Sequence, residues 1–231
     1  MLEARGITQS YGQGRILWGV DLEVPRGSCV AILGRNGVGK TTLVKCLMGL
    51  LRTDAGSLSF DGEEISSFAP ERRAGLGIGY VPQGRMIFPM LTVEENLLVG
   101  MTARRDGASD SPNRVFELFP VLRDMLARRG GDLSGGQQQQ LAIARALALD
   151  PRFLILDEPC EGIQPNIVHQ IGDVIVELNQ ELGQTVLLVE QKLPFVRRVA
   201  SQFAIMAKGN VVAHGKMSAL TDDMIQQHLT V

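Results

Sequence analysis

A glycine-rich stretch that ends in Lys and Thr carries the clearest chemistry in this sequence. Residues 34–41 read Gly-Arg-Asn-Gly-Val-Gly-Lys-Thr, which fits the pattern G-x-x-x-x-G-K-[ST] between a predicted strand and a predicted helix. Glycines let successive backbone N–H groups turn inward around a phosphate, and the positive end of the helix dipole adds to the attraction. The pattern therefore predicts a nucleotide-phosphate loop with the candidate ligands Gly34, Asn36, Gly37, Gly39, Lys40, Thr41 and Thr42.

Two side chains of this loop have distinct expected roles. We expect the Lys40 ammonium to reach the β- and γ-phosphates of ATP, because it can compensate their charge. We expect the Thr41 hydroxyl to bind Mg²⁺, the usual companion of a nucleoside triphosphate. The predicted cofactors are therefore ATP and Mg²⁺.

A second cluster of chemistry follows an apolar run late in the chain. Leu154-Ile-Leu-Asp157-Glu158 is the pattern of a buried strand that ends in two carboxylates. Beside a phosphate loop, Asp157 is placed to hold the metal through a bound water, and Glu158 to polarise an attacking water as general base. On its own the pattern is weak, since many strands end in solvated Asp or Glu.

Composition excludes several classes of function. The chain has 231 residues and a net charge of −2 with 5% aromatic residues, which argues against a nucleic-acid partner. No apolar run approaches the roughly 20 residues that span a bilayer. The three cysteines (Cys29, Cys46 and Cys160) have no metal-ligand spacing and fit a reducing compartment.

Short β-branched runs alternate with helical patterns, which predicts βαβ units around a parallel sheet. The predicted strands are Ser28–Leu33, Phe153–Leu156 and Thr185–Val189. The predicted helices are Lys40–Leu50 and an amphipathic one that buries apolar residues recurring between Ile167 and Leu182.

Two regions have a different character. Residues 1–30 and 57–62 show polar–apolar alternation and turn residues, which predicts a small antiparallel sheet at one side. Residues 85–150 show few strand signals, and we expect helices over Thr92–Met101, Pro112–Phe119 and Gln137–Leu149 with a loop at Gly107–Pro112.

Leu133-Ser134-Gly135-Gly136-Gln137 narrows the interpretation to one family. The five residues match, without substitution, the LSGGQ signature of ABC ATPases, which the chain resembles from Met1 to about Val212. The resemblance implies an α/β fold: a P-loop NTPase (RecA-like) parallel-sheet core, an N-terminal antiparallel β subdomain and an inserted helical subdomain over residues 85–150. All of it lies in one ATPase domain of residues 1–231.

The resemblance also assigns roles. Tyr11 matches the aromatic residue that stacks on adenine, with an ordinary surface aromatic as the alternative. Gln83 matches the glutamine that contacts Mg²⁺ or water and senses the membrane partner. In ABC ATPases two domains pair head-to-tail, so Ser134, Gly135, Gly136 and Gln137 are expected to bind an ATP held by a partner chain.

Two positions depart from the common family pattern. The usual switch histidine is here Gln191, and Gln164 stands where many relatives have an Asp. Gln191 can still hydrogen-bond a γ-phosphate without supplying charge; the alternative is a solvated residue at a strand end. Both departures resemble the smaller ATPase of branched-chain amino-acid type importers. Gly34–Gly39, Gly84–Pro89 and Glu161–Pro165 are more similar to its urea-uptake subunit.

The resulting hypothesis is an ATP-hydrolysing importer subunit at the cytoplasmic face of the inner membrane. Its expected partners are two membrane-spanning permeases, a second ATPase (a different chain or a copy) and, indirectly, an extracytoplasmic solute-binding protein. Urea is the first candidate solute and branched-chain amino acids the alternative. A soluble ABC ATPase without transport, and an ATP-gated clamp that does not hydrolyse, are the remaining alternatives.

Overall fold

The computed structural model describes residues 1–102, 104 and 113–229 of the chain. The loop expected at Gly107–Pro112 lies outside the described residues. So does the first residue of the helix expected at Pro112–Phe119.

Ten strands form two sheets in the described part of the chain. The strands are β1 (Leu2–Tyr11), β2 (Gly14–Val24), β3 (Cys29–Leu33), β4 (Ala55–Phe60), β5 (Glu63–Glu64), β6 (Ile78–Val81), β7 (Phe153–Asp157), β8 (Thr185–Val189), β9 (Gln202–Ala207) and β10 (Asn210–Lys216). The antiparallel sheet has the order β2-β1-β4-β5, and the larger sheet has the order β10-β9-β3-β8-β7-β6. In the larger sheet β9, β3, β8, β7 and β6 are parallel, and β10 is an antiparallel edge strand.

Nine α-helices are present among the described residues. They are α1 (Lys40–Leu47), α2 (Pro70–Gly75), α3 (Val93–Met101), α4 (Asn113–Leu118), α5 (Pro120–Arg123), α6 (Gly135–Ala148), α7 (Pro165–Val176), α8 (Leu193–Val199) and α9 (Asp222–His228). A π-helical turn, Glu177–Glu181, continues α7. No helix in these described stretches is long and apolar enough to cross a membrane.

The α/β fold class predicted from the sequence is confirmed, and the element boundaries differ by a few residues. β8 has its predicted bounds, β3 begins one residue later than expected, and α1 ends at Leu47 rather than Leu50. The sequence explains the earlier end of α1, because Gly49 adopts a positive φ of 74° that a helix cannot contain. Helix α6 begins at Gly135, two residues earlier than predicted, because Ser134 caps it.

The central strands are buried on both faces. Every residue of β3, β7 and β8 is buried, as expected for parallel strands covered by helices. One apolar cluster fills the side of the sheet that faces α6 and α7, and a second joins the opposite side to α1 and the antiparallel sheet. This rigid centre fixes where each strand ends.

The candidate site residues follow the carboxyl ends of adjacent parallel strands. The glycine-rich loop follows β3, Gln191 follows β8, Asp157 ends β7 and Gln83 follows β6. In the sheet these four strands are neighbours in the order β3-β8-β7-β6. Ligands of open α/β sheets bind outside this edge, so the topology gathers residues that are up to 157 positions apart, as Gly34 and Gln191 are.

Candidate functional site

The glycine-rich loop adopts a backbone conformation that residues with side chains could not adopt at Gly34 and Gly39. Gly39, immediately before α1, has φ 104°, and a Cβ there would lie 2.9 Å from the Leu17 side chain. Gly34 has φ 156°, and its Cβ would lie 2.5 Å from the Met206 carbonyl oxygen. Gly37 also has a positive φ, of 80°. The loop therefore turns tightly between β3 and α1, with its backbone open for a bound group.

Lys40 points its ammonium group back into this loop. The Lys40 side chain is 4% exposed, and its Nζ donates hydrogen bonds to the carbonyl oxygens of Gly34 at 2.8 Å and Arg35 at 3.1 Å. Burial lowers the pKa of Lys40, and the nearby carboxylates of Glu158 and Asp157 oppose that shift. A buried cation held at the mouth of a glycine loop is suited to bind phosphate oxygens.

The Asp157 carboxylate is buried without a full hydrogen bond. Asp157 is 1% exposed, and neither of its carboxylate oxygens makes a hydrogen bond of standard geometry among the described residues, although the hydroxyls of Thr41 and Tyr80 lie near the carboxylate. Burial raises the pKa of Asp157 to about 6, while the Thr41 hydroxyl nearby partly opposes the rise. Oxygen ligands of this kind suit Mg²⁺, and an unsatisfied buried carboxylate beside a hydroxyl fits a bound cation. Thr41 and Asp157 therefore meet the chemical requirement for the predicted metal.

Glu158 lies where three of the candidate residues converge. Its Oε1 accepts a hydrogen bond from Gln191 Nε2 at 2.9 Å and lies 3.7 Å from Lys40 Nζ. Its Oε2 accepts a hydrogen bond from Gln83 Nε2 at 3.4 Å. The backbone at Glu158 is left-handed, with φ 50°, which is uncommon for this residue type and occurs often at functional sites. The structure thus brings the three predicted catalytic side chains Glu158, Gln83 and Gln191 together.

Gln191 joins the carboxylate to the glycine-rich loop. Besides its bond to Glu158, its Nε2 donates a hydrogen bond of 2.6 Å to Oδ1 of Asn36. Gln191 is exposed, so both hydrogen bonds lie at the solvent-facing side of the site. It spans the opening between the loop after β3 and the carboxylates after β7.

Sequence reasoning missed Glu190, which fixes the backbone on either side of Gln191. Glu190 is 3% exposed, and its Oε2 accepts hydrogen bonds from the backbone N–H groups of Gln191 and Lys192. The Lys192 ammonium in turn donates to the Cys160 carbonyl oxygen at 2.8 Å. The only signal available was an acidic residue directly after an apolar strand, which is ambiguous without the contacts.

Glu161 is a second residue that the sequence did not single out. Its Oε2 accepts a hydrogen bond of 2.9 Å from Gln83 Nε2, shorter than the bond of Gln83 to Glu158. The loop after β6 is thereby tied to the segment Glu161–Pro165 after β7. Gln164 in that segment is the residue before α7 and makes no side-chain capping bond.

The signature residues form a tight helix start elsewhere on the chain. The Ser134 hydroxyl accepts a hydrogen bond from the Gln137 N–H, and the Gln137 side chain accepts one from the Ser134 N–H. Gly136 packs against α7, because a Cβ there would lie 2.9 Å from the Ile167 side chain. Among the described residues, no hydrogen bond joins these signature residues to the glycine-rich loop of the same chain.

Tyr11 lies at the end of β1, paired with Gly14 across a hairpin. Half of its surface is exposed, so its ring is accessible. On β2, Ile16 packs against the phosphate loop, since a Cβ on Gly39 would lie 3.3 Å from its Cγ2 atom. The hairpin that carries Tyr11 therefore adjoins the loop. Next to the loop, Gly34, Arg35, Asn36 and Gln191 line a cleft of about 360 Å³ with Leu33 and Leu229.

Comparison with known proteins identifies the family. Residues 17–161 match the family described as ABC transporter. This chain is an ABC transporter family member. It is 38% identical over 221 residues to the high-affinity branched-chain amino acid transport ATP-binding protein BraG of Pseudomonas aeruginosa, over 95% of this chain and 94% of that protein.

Further relatives cover the same length. The probable branched-chain amino acid transport ATP-binding protein LivF of Archaeoglobus fulgidus is 35% identical, over 96% of this chain and 94% of LivF. The lipopolysaccharide export system ATP-binding protein LptB of Escherichia coli K12 is also 35% identical, over 96% of this chain and 93% of LptB. All three relatives are named as ATP-binding proteins of transport or export systems, and each match covers nearly the whole chain.

Solved structures of ATP-binding cassettes share the fold. A dimeric post-hydrolysis state of the cassette MJ0796 bound to ADP and Pi has a TM-score of 0.85 at 26% identity, over 95% of this chain and 100% of that one. A nucleotide-free cassette from an ABC transporter has a TM-score of 0.84 at 27% identity, over 100% of this chain and 95% of that one. Together with the family match, these similarities show that the chain is an ATPase of the ABC transporter family.

Proposed function

We propose that this ABC ATPase is the energy-coupling subunit of an importer and that ATP is hydrolysed at the edge of the sheet formed by β3, β8, β7 and β6. One observation carries the site assignment: Glu158 contacts Lys40, Gln83 and Gln191 at once. These three residues follow different strands, and each is suited to a separate task in phosphoryl transfer. A clamp that does not hydrolyse would not require this convergence on a carboxylate.

Nucleotide binding is assigned to the loop and its neighbours. The backbone N–H groups of the glycine-rich loop and the buried Lys40 ammonium bind the phosphates, while Tyr11 stacks on adenine. Thr41, Asp157 and Gln83 would hold Mg²⁺, whose chemistry is to neutralise charge on the transferred phosphoryl group. The unsatisfied oxygens of buried Asp157 support this assignment.

Hydrolysis requires a positioned water and a base. The water oxygen forms a bond to the γ-phosphorus as the bond from that phosphorus to the β–γ bridging oxygen breaks, and ADP takes the electron pair. Glu158 is placed to accept the water proton, since it is a carboxylate at the edge of the phosphate loop. Gln191 orients the same water, because its amide can donate and accept hydrogen bonds.

The signature residues are assigned to an ATP bound by another chain. Ser134 is exposed, and the helix N-terminus it caps offers backbone N–H groups to an anion. The cassette MJ0796 was solved as a dimer, which supports a paired state. We expect a second ABC ATPase, a different chain or a copy of this one, to complete each site.

Membrane-spanning permease subunits are the proposed mechanical partners, reached from the cytoplasmic face of the inner membrane. Exposed apolar side chains occur just beyond Gln83, including Met86, Phe88 and Met90, and Leu98 and Val99 are exposed on α3. Such a cluster beside Glu94 and Glu95 suits a protein contact. A solute-binding protein outside the membrane would act through the permeases.

For the solute, the relatives favour branched-chain amino acids over urea. BraG and LivF, with 38% and 35% identity, are both named for branched-chain amino acid transport. None of BraG, LivF and LptB is named for urea transport, which the similarity of a few loop residues had suggested. LptB is named for an export system, so the relatives do not all share one direction of transport, and import is part of what we propose.

Uptake in cells that lack this chain tests the proposal. Radiolabelled leucine, valine and urea are offered to the deletion strain, complemented with the wild-type chain or with Lys40→Ala. We expect leucine and valine uptake to return with the wild type alone, and urea uptake to stay the same in all strains. Loss of urea uptake with intact leucine uptake would contradict the solute assignment. Unchanged uptake of all three would contradict import of these solutes.

A further inference from the structure

The segment directly after Gln83 has an unusual backbone. Gly84, Arg85 and Met86 all have a positive φ, of 79°, 70° and 46°. Left-handed conformations cost free energy in residues other than glycine and persist where surrounding contacts hold them. Two consecutive residues of this kind, Arg85 and Met86, therefore point to contacts that determine the turn.

Those contacts are made to the two ends of α6, the helix that begins with the signature. Arg85 Nη1 donates a hydrogen bond of 2.9 Å to Gln138 Oε1 in the first turn of α6. From the last turn, Arg145 Nη2 donates a hydrogen bond of 2.8 Å to the Met86 carbonyl oxygen. The guanidinium of Arg145 also lies 4.9 Å from the centre of the Phe88 ring.

The Arg85 guanidinium lies between the start of α6 and the loop after β7. A Cβ on Gly135 of the signature would lie 3.0 Å from its Nη1, so the absence of a side chain there admits the guanidinium. A Cβ on Gly162, which follows Glu161, would lie 3.9 Å from its Nη2. Gln83, two residues before Arg85, is hydrogen-bonded to both Glu158 and Glu161.

We propose that Arg85 is a positioning residue that transmits the state of Gln83 to the signature residues Ser134–Gln137. A displacement of Gln83 at the catalytic carboxylate moves Arg85, which is hydrogen-bonded to the first turn of α6. The signature of this chain thereby adjusts to the site in which the same chain holds its own ATP. The inference rests on the proposed function, because it assumes that the signature binds an ATP on another chain.

The test compares Arg85→Ala, Arg85→Lys and Gln138→Ala with a matched control, Arg123→Ala. Arg123 is an exposed arginine on α5 whose guanidinium lies near Phe116 and outside the site. Two experiments are made: amide hydrogen exchange of the full chain with and without Mg-ATP, and steady-state ATP hydrolysis in the assembled transporter, which gives kcat and KM. Thermal unfolding of each variant separates local effects from general destabilisation.

We expect Arg85→Ala to accelerate exchange at Gly135–Gln138 and to lower kcat by on the order of tenfold, as for a lost charged hydrogen bond. KM and the ATP-induced protection of residues 34–41 are expected to stay within about twofold. Arg85→Lys keeps the positive charge but loses the forked set of donors, so we expect its kcat to lie between those of the wild type and Arg85→Ala. We expect the double variant Arg85→Ala/Gln138→Ala to lower kcat by less than the product of the two single fold-changes, because both substitutions remove the same hydrogen bond.

The proposal is overturned if Arg85→Ala matches Arg123→Ala in exchange and in kcat. It is also overturned if kcat, KM and the melting temperature change together, which indicates a purely structural residue. Absence of ATP-induced protection at residues 34–41 in the wild type would contradict the nucleotide site itself, and with it the proposed function. Failure of the Arg85 proposal and failure of the nucleotide site can be told apart, because exchange at Gly135–Gln138 is measured without ATP as well as with it.

Discussion

At the scale of single residues, the site is defined by two buried charges, and the Asp157 carboxylate is the poorly satisfied one among the described residues. Asp157 is buried with neither oxygen fully hydrogen-bonded, and Lys40 is buried against backbone carbonyl oxygens. A buried carboxylate of this kind destabilises a protein unless a ligand compensates its charge. Asp157 therefore supports a site that a cation completes, and the buried Lys40 ammonium is suited to bind a phosphate group.

The pKa of Asp157 leads to a prediction about stability. Burial raises that pKa to about 6 from 3.8, so the folded chain binds more protons than the unfolded chain between these pH values. The free energy of unfolding contributed by Asp157 consequently falls as pH rises through this window. Without metal or nucleotide, we expect Asp157→Asn to raise the free energy of unfolding at pH 8 by roughly 1–3 kcal/mol, with no gain below pH 4.

Denaturant unfolding in EDTA at both pH values measures this effect. The control is Asp124→Asn, an exposed aspartate, which we expect to stay within about 0.5 kcal/mol of the wild type. Mg-ATP hydrolysis by Asp157→Asn is expected to be lost. A variant that is less stable than the wild type at pH 8 would contradict the charge argument.

Gln191 allows a second test at this scale. Gln191→Ala removes the hydrogen bonds to Glu158 and Asn36, and we expect hydrolysis coupled to transport to fall roughly 10- to 100-fold. Gln191→His is expected to keep activity and add a pH dependence near an imidazole pKa of about 6.5. The measurement is phosphate release as a function of pH, with the exposed Gln180→Ala as control. Wild-type rates for Gln191→Ala would exclude a switch role.

At the scale of elements, close approach between helices holds the signature helix in place. Helices α3 and α6 approach closely where Gly100 meets α6, because a Cβ on Gly100 would lie 2.2 Å from the Arg145 carbonyl oxygen. No flexible side chain can relieve this contact, since the neighbouring atom belongs to the backbone of α6. The position of α6 therefore depends on a glycine in α3.

Gly100→Ala is expected to lower the free energy of unfolding by about 1–3 kcal/mol, the usual cost of overpacking. Gly75→Ala is the matched control, because Gly75 lies in α2 and its Cβ would meet nothing within 4 Å. We expect that variant to be neutral or stabilised by up to about 1 kcal/mol. Thermal and denaturant unfolding of both variants decide, and equal stabilities would contradict the packing argument.

Local pattern predicted these elements well, and long-range contacts explain what it missed. The β8 strand and the loop before α1 followed from apolar runs and glycine spacing, which depend on neighbouring residues. Glu190 and Glu161 act through partners whose identity depends on strand order, and a single sequence does not specify that order. The left-handed turn at Arg85 is likewise determined by contacts to α6, more than 50 residues away.

At the scale of the whole molecule, the candidate catalytic residues lie at one edge of the larger sheet, and the signature lies at the start of a separate helix, α6. Glu158, Gln191 and Gln83 meet because β8, β7 and β6, the strands they follow, are adjacent in the sheet. Ser134 caps a helix whose first turn has no hydrogen bond to the loop among the described residues. Under the proposed function, a single chain binds ATP at this edge and presents its signature to the ATP of a second chain.

Glu158→Gln gives the most direct test of the central claim that this edge hydrolyses ATP. The amide keeps the size of the side chain and removes the base, so we expect ATP affinity within about twofold of the wild type. Phosphate release is expected to fall by on the order of 10²–10⁴. Lys40→Ala, measured alongside, is expected to lose ATP binding and so shows that the assay reports this site. Wild-type phosphate release from Glu158→Gln in that assay would contradict the account.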